Sequence, residues 1–136
     1  MSEIVTASKW LYGVLNGDAT LKTYTPNIYA LPAPQGAALP YTVFNELSAV
    51  DLQTLGTQRI WTNALFIVRA VMETESYGGN LELAANRIDT LLQAQHGSVT
   101  GGNVWACVRE QPFWLIDYHG GQQIRHLGGI YRIFAK

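Results

Sequence analysis

The chain has few of the residues that would indicate catalysis, metal binding or secretion. Its 136 residues include one cysteine and three histidines. The single Cys107 cannot form an internal disulfide, and since no signal peptide is visible we expect synthesis in a reducing, intracellular compartment. No two histidines have the i, i+4 spacing of a helical zinc site, and no glycine-rich stretch matches a phosphate-binding loop. The sequence therefore predicts no cofactor, no metal and no enzyme activity.

Charge is also scarce. Charged residues make up 14% of the chain and the net charge is −1, whereas a typical soluble domain carries about 25% charged residues. The absence of a basic excess argues against a nucleic-acid binder driven by phosphate neutralisation, so we expect no sequence-specific nucleic-acid partner. No apolar run approaches the ~20 residues that span a bilayer. A low-charge surface has two interpretations: other subunits cover part of it, or the protein is simply a well-packed small domain.

Two weak catalytic possibilities remain in the sequence. Cys107 could pair with a histidine as a nucleophile, but it lies in the apolar run VWACV, which favours a small buried side chain. His119 and His126 could approach each other across the last hairpin, although surface or interface histidines are the simpler interpretation. Four tryptophans fall in regular elements, which indicates core or interface positions more than a base-stacking platform.

Hydrophobic periodicity predicts two helices and four to five strands in one domain, residues 1–136. The helices are expected over residues 2–16 and 80–95. Strands are expected over 41–50, 59–73, 103–119 with an interruption at Pro112, and 123–135, with a short one at 28–30 and a flexible loop at 97–103. Because the strands adjoin in sequence, we expect an α+β fold: a mainly antiparallel sheet with both helices packed on one face.

The strand at 59–73 has two different faces. Its even-numbered positions, from Ile60 to Met72, suit a core, whereas its odd-numbered positions mix large apolar and charged side chains. Something must cover the apolar members of the second set. Either the helices of the same chain do so, which the sequence favours, or another subunit does.

The stretch IYALPAPQGAALPYTVFNEL, residues 28–47, is the most distinctive in the chain. Pro32, Pro34 and Pro40 fix φ and remove backbone donors, so the stretch between them is neither helix nor central strand. Gln35-Gly36 indicates a turn. The residues after Pro40 are rich in β-branched and aromatic types and predict a strand.

Several motifs resemble one known family over nearly the whole chain. They are the proline-rich segment APQGAALPY, an RID segment at 87–89, REQPF at 109–113 and RHLGGIYRI at 125–133. Together with the order of helices and strands, they make the chain similar to the tail completion, or tail terminator, proteins of long-tailed bacteriophages and prophages. The proline-rich loop is the most specific of these motifs.

The resemblance implies a structural protein that forms a ring, commonly hexameric. Such a ring caps the tail tube, stops its polymerisation and provides the surface that joins the head. The expected partners are copies of the chain, the tail tube protein and a head–tail connector protein, with genome DNA passing through the ring and no membrane involved. The expected location is the head-proximal end of the virion tail, after assembly in the host cytoplasm.

A closed ring needs two different, complementary patches on each subunit. The proline loop and the last hairpin are the candidates, and the alternative is that the hairpin's charged groups are solvated or pair within one subunit. The predicted interface residues are Pro34, Gln35, Leu39, Pro40, Arg109, Glu110, Arg125, His126 and Arg132.

Two other functions stay open at the level of sequence. One is a head–tail connector, or neck, protein of similar size. The other is a small-molecule-binding or enzymatic α+β domain, since one architecture hosts many functions. That second alternative requires a pocket with convergent polar groups.

Overall fold

A computed structural model describes residues 2–30, 33–53, 55–56, 58–73 and 79–136. Of Arg59 and His119 it describes the backbone alone. Leu31 and Pro32 of the proline-rich stretch lie outside these residues. The described chain forms three helices and six strands. They are α1 (Glu3–Asn16), α2 (Ala19–Tyr24), β1 (Asn27–Ala30), β2 (Tyr41–Gln53), β3 (Arg59–Glu73), α3 (Asn80–Leu92), β4 (Gln95–Val99), β5 (Gly102–His119) and β6 (Gln122–Ala135).

All six strands form one sheet in the order β1-β2-β3-β6-β5-β4. Every neighbouring pair is antiparallel except β1 and β2, which run parallel. The predicted α+β class with a mainly antiparallel sheet is therefore confirmed, with one strand more than the upper estimate. A short third helix, α2, follows Asp18, whose carboxylate accepts a hydrogen bond from Leu21 N–H at 2.8 Å.

The additional strand, β4, occupies part of the segment predicted to be a flexible loop. The predicted second helix ends at Leu92 rather than at residue 95, and Ala94 adopts a positive φ of 58°. The chain then pairs with β5, with Gln95 opposite Cys107 and Val99 opposite Gly102. The residues of β4, QHGSV, have low strand propensity, so the strand forms because it pairs with β5. Gly97 is required because a Cβ there would lie 2.7 Å from Trp10 Nε1.

The core lies between the helices and one face of the sheet. The even-numbered residues of β3 join it, with Phe66 2% and Val68 0% exposed. Leu11 and Leu15 of α1 and Ile88 of α3 belong to the same cluster of buried side chains. The prediction that the two long helices pack on one face of the sheet is confirmed.

The opposite face of the sheet, called here the open face, is not covered by the helices. Val43, Ile67 and Val71 are buried there but lie outside the cluster that the helices join. Neighbouring strands bury them: Val71, for example, lies opposite Tyr41 on one side and His126 on the other. The favoured prediction that the helices cover this second set was therefore wrong, because both long helices pack on the other side.

Gly128 and Gly129 lie in a regular part of β6, where the pairing with β3 and β5 continues without a register shift. A glycine inside a strand indicates either a bulge or a close approach of two backbones, and the structure supports the second. A Cβ on Gly128 would lie 2.0 Å from the carbonyl oxygen of Val68. One on Gly129 would lie 2.7 Å from Cδ of Arg109. The lack of a side chain at these two glycines therefore allows β3 and the Arg109 side chain to lie close to β6.

Candidate interaction surfaces

The described part of the proline loop is held by a tight turn. Ala37 N–H donates to the carbonyl of Pro34 at 3.0 Å, and Gly36 has a φ of 78°. This fits a turn with glycine at its third position, which confirms the turn predicted at Gln35-Gly36. The peptide bond between Leu39 and Pro40 is cis. Pro34 and Gln35 are exposed, and Leu39 and Pro40 are half-buried.

The loop lies beside one end of the sheet. It lines an open groove of about 540 Å³ together with Glu73 of β3 and with Gln122 and Ile124 of β6. The turn-proximal end of the last hairpin is therefore next to the proline loop. None of the five predicted hairpin residues lines this groove.

The five charged or titratable candidates on the last hairpin are divided between the two faces of the sheet. Arg109 is on the helix side, where its Nε lies 3.8 Å from Asp89 Oδ1 of α3. The same carboxylate accepts a hydrogen bond from the hydroxyl of Tyr131 at 3.0 Å. Burial and this carboxylate raise the pKa of Tyr131, so the hydroxyl stays protonated. Arg125 also faces the helix side, in a groove with Leu81.

Arg132, Glu110 and His126 lie on the open face, and the first two are in contact. Arg132 forms an ion pair with Glu110 through its Nε, and its Nη1 donates to Asn63 Oδ1 at 2.6 Å. These contacts join β5, β6 and β3 side by side. Arg109 and Arg132 thus pair within one subunit, as the alternative interpretation of the hairpin charges had it. The sequence did not reveal Asn63, although it stands among the polar residues of the second set of β3.

A second arginine, Arg69 of β3, forms the centre of another cluster on the open face. Its Nη1 donates to Asn45 Oδ1 of β2 at 2.9 Å, and its Nε donates to His126 Nδ1 of β6 at 3.1 Å. The guanidinium lies 5.8 Å from the ring centroid of Phe113 on β5. Partial burial lowers the pKa of Arg69, which remains charged. Four adjacent strands are therefore linked through one side chain.

His126 must be neutral in this arrangement, because its Nδ1 accepts the proton of Arg69. Burial, then the neighbouring Arg69, lowers the pKa of His126 below its usual 6.5, while Asp117 acts in the opposite direction. Between the lowered folded-state pKa and the unfolded-state value, the unfolded chain binds more protons. The free energy of unfolding therefore rises with pH across this window.

We expect the protein to lose stability as the pH falls from about 7.5 through 6.5, the unfolded-state pKa of histidine. Urea unfolding at several pH values measures this loss. His126→Gln, whose amide oxygen can accept from Arg69, should remove most of the loss in this range. His96→Gln, at an exposed position of β4, is the control and should retain it. An unchanged pH dependence in His126→Gln would contradict this assignment.

Aromatic rings cluster at the other end of the open face. Trp61 of β3 packs edge-on against Trp105 of β5 and Phe134 of β6, with centroid distances of 5.4 and 6.2 Å. Lys136 Nζ lies 5.8 Å from the ring centroid of Trp105. Trp105 is still 45% exposed. Trp10 lies in the core and Trp114 is 69% exposed, so the tryptophans divide between core and surface.

Cys107, the possible nucleophile, is not activated in the structure. Cys107 is fully buried, and burial raises the pKa of its thiol to about 12, the opposite of an activated nucleophile. Among the described residues, no three potential ligands lie close enough together to hold a metal ion. None of the described helices is long and apolar enough to cross a membrane. The predicted approach of His119 to His126 is not tested, because the side chain of His119 lies outside the described part of the structure.

Comparison with known proteins gives matches of fold. No protein-family model matches the chain, and no curated protein matches its sequence. A chain in a solved structure described as "Virion of native gene transfer agent (GTA) particle" superimposes with a TM-score of 0.67 at 15% identity, covering 98% of both chains. A second solved structure gives a TM-score of 0.58 at 14% identity, covering 98% of this chain and 96% of its own. This chain therefore shares its whole fold, end to end, with both.

Proposed function

We propose that this protein is a structural component of a phage or phage-like virion that assembles into a ring and caps the tail tube. The observation that carries the proposal is the full-length match of fold to a chain of a gene transfer agent virion, with 98% of both chains covered. The resemblance of the proline-rich and C-terminal motifs to tail terminator proteins supports the same assignment. In that role the ring, a hexamer in our proposal, stops tail polymerisation.

The surface of the subunit fits a protein that acts by contact. Its open face carries two arginine clusters and an aromatic cluster outside the helix-packed core, and its exposed side chains include Val50, Leu55, Trp114 and Tyr118. Exposed apolar side chains in such numbers suit a surface that other subunits cover. The tail tube protein on one side of the ring and a head–tail connector on the other are the proposed partners, with genome DNA passing through the centre.

The proline loop and the adjoining end of the last hairpin are the proposed contact region toward a partner. A loop whose prolines restrict its unfolded conformations loses less entropy when it is immobilised in a contact. Pro34, Gln35, Leu39 and Pro40 provide this surface. Of the hairpin residues, His126, Glu110 and Arg132 lie on the open face, and Arg109 and Arg125 lie toward the helices.

The function is tested by producing particles from which this protein has been deleted. We expect tails of uncontrolled length that fail to join heads, and we expect the purified protein to restore defined tails when it is added back. Electron microscopy measures both the length distribution and the fraction of joined particles. Tails of normal length that merely lack heads would indicate a connector instead, and normal particles would refute a structural role.

A further inference from the structure

Both lateral edges of the sheet contain long stretches that no described strand pairs. The short β1 covers β2 only from Tyr41 to Phe44, and β4 covers β5 only from Gly102 to Cys107. Along the remaining parts, residues 45–53 of β2 and 108–119 of β5, the described strands pair only on the inner side. Unpaired edges of this length offer a row of backbone donors and acceptors to another chain.

The open part of the β5 edge is limited to a short window. Arg109 N–H already donates to the side chain of Gln93 at 2.7 Å, and Pro112 has no N–H. At the far end, Tyr118 N–H donates to the Asp117 side chain at 2.8 Å. Because backbone groups alternate in direction along a strand, Trp114 and Ile116 direct theirs to the same outer side as Tyr118. The window for pairing therefore runs from 113 to 117.

Apolar side chains accompany both open edges. On β5, Trp114 is 69% and Leu115 44% exposed. On β2, Val50 is 67%, Leu47 48% and Leu52 43% exposed. Natural proteins usually protect such edges with charges. The β5 edge carries the apolar run FWLI, and on the β2 edge the apolar side chains are interspersed with Glu46, Ser48 and Asp51. Burying both would remove a large apolar area from water.

The two edges have complementary, stepped outlines. Across β6, the open part of β5 is level with the C-terminal end of β3, whereas the open part of β2 lies beside the N-terminal end of β3. A second copy placed in the same orientation but shifted along the strands brings its β2 next to β5. In that position β1 of the copy lies beyond the end of β5, and β4 lies beyond the end of β2, so neither blocks the contact. Such a stagger is what strands adopt in closed β-structures.

From this geometry we infer that the β5 edge of one subunit pairs antiparallel with the β2 edge of the next, so that the sheets continue across subunits. The inference rests on the proposed ring and names its subunit contact. β2 and β5 run in opposite directions within the sheet, so the added strand keeps the antiparallel alternation. Self-pairing of either edge would close a dimer and leave the other apolar edge exposed, whereas head-to-tail pairing covers both and generates rings.

Two singly substituted proteins test the direction of pairing. One carries Leu115→Cys on β5, the other Val50→Cys on β2; both side chains lie on the open face, and the buried Cys107 is retained in both. After mixing and treatment with a short bis-maleimide, we expect covalent dimers in the mixture and none from either protein alone. Tyr12→Cys, at an exposed position of α1, replaces Leu115→Cys in the control mixture and should give no product.

A proline substitution tests the backbone contact itself. Ile116→Pro removes an outward donor without removing a hydrogen bond to β6, so it should leave the subunit folded. It should also raise the concentration needed for half-assembly by at least about tenfold, as loss of a paired edge requires. Leu115→Pro, which loses an inward hydrogen bond, is the comparison and should instead lower thermal stability. Circular dichroism and light scattering measure the two effects.

The outcomes separate this inference from the proposed function. Rings that form without the mixed cross-link, or with cross-links from either protein alone, would overturn the β5–β2 contact and leave the ring function standing. Rings that assemble unchanged with Ile116→Pro would also overturn it. Protein that neither assembles nor restores tail length would refute the proposed function together with the contact.

Discussion

Replacing Gly128 with alanine is expected to lower the free energy of unfolding by about 3 kcal/mol or more. The added Cβ would lie 2.0 Å from the carbonyl oxygen of Val68 and 2.6 Å from Cα of Arg69. Both are backbone atoms of β3, so no side chain can rotate away to make room. Relief requires the central strands β3 and β6 to separate, which disturbs their pairing.

Gly13→Ala is the matched control. Gly13 is exposed within α1, and a Cβ there would meet nothing within 4 Å. Since alanine favours helix over glycine by about 1 kcal/mol, this variant should be neutral or slightly more stable. Urea denaturation measures both proteins. Equal stability of Gly128→Ala and the unsubstituted protein would show that the two central strands do not approach as described.

Replacing Phe66 with alanine should cost about 3–5 kcal/mol, because it opens a cavity in the core. Phe66 is 2% exposed and its ring centroid lies 6.5 Å from that of Phe44. Leu65, its neighbour in β3, points to the open face and is only half-buried. Leu65→Ala should therefore cost the monomer about 1 kcal/mol.

The difference between these two substitutions tests the layer arrangement directly. If the helices pack on the Phe66 side alone, the monomer depends strongly on Phe66 and weakly on Leu65. Equal losses in chemical denaturation, measured where the protein is monomeric, would mean that a comparable core lies on both faces. The open face would then not be available to other subunits.

Much of the fold follows from the hydrophobic periodicity of the sequence and from the glycines that end its helices and strands. α1 begins within one residue of its predicted start, and the predicted strand at 59–73 matches β3 (Arg59–Glu73). α1 ends at Asn16, before Gly17. Gly120 and Gly121 form the last turn, where glycine tolerates the positive φ angles of 58° and 83°. Such local signals suffice for single elements because they depend on neighbours in the chain.

Features that depend on residues distant in the sequence could not be predicted from such local signals. β4 has weak strand propensity and exists because β5 is beside it. The partners of the hairpin arginines are fixed by the register of non-adjacent strands, which places Asn63 beside Arg132 and Asn45 beside Arg69. Periodicity separated the two faces of β3 correctly but could not say which of them the helices would cover.

The positions of the candidate interface residues in the fold were predicted only in part. The turn in the proline loop was evident from Gln35-Gly36, and the structure places this loop beside the end of β6. The hairpin charges were treated as one patch, whereas strand alternation divides them between two faces. The apolar run after Pro112 was the available signal for the open β5 edge, since a proline in a strand marks an edge.

Negative-stain electron microscopy of the purified protein, alone and mixed with tail tubes, tests the central claim most directly. The account predicts closed rings of one size with a central channel, or, where free subunits stay monomeric, rings that form on the ends of the tubes. It also predicts that tubes bearing a ring stop growing. Protein that remains monomeric at every concentration and leaves tube ends bare and growing would contradict the account.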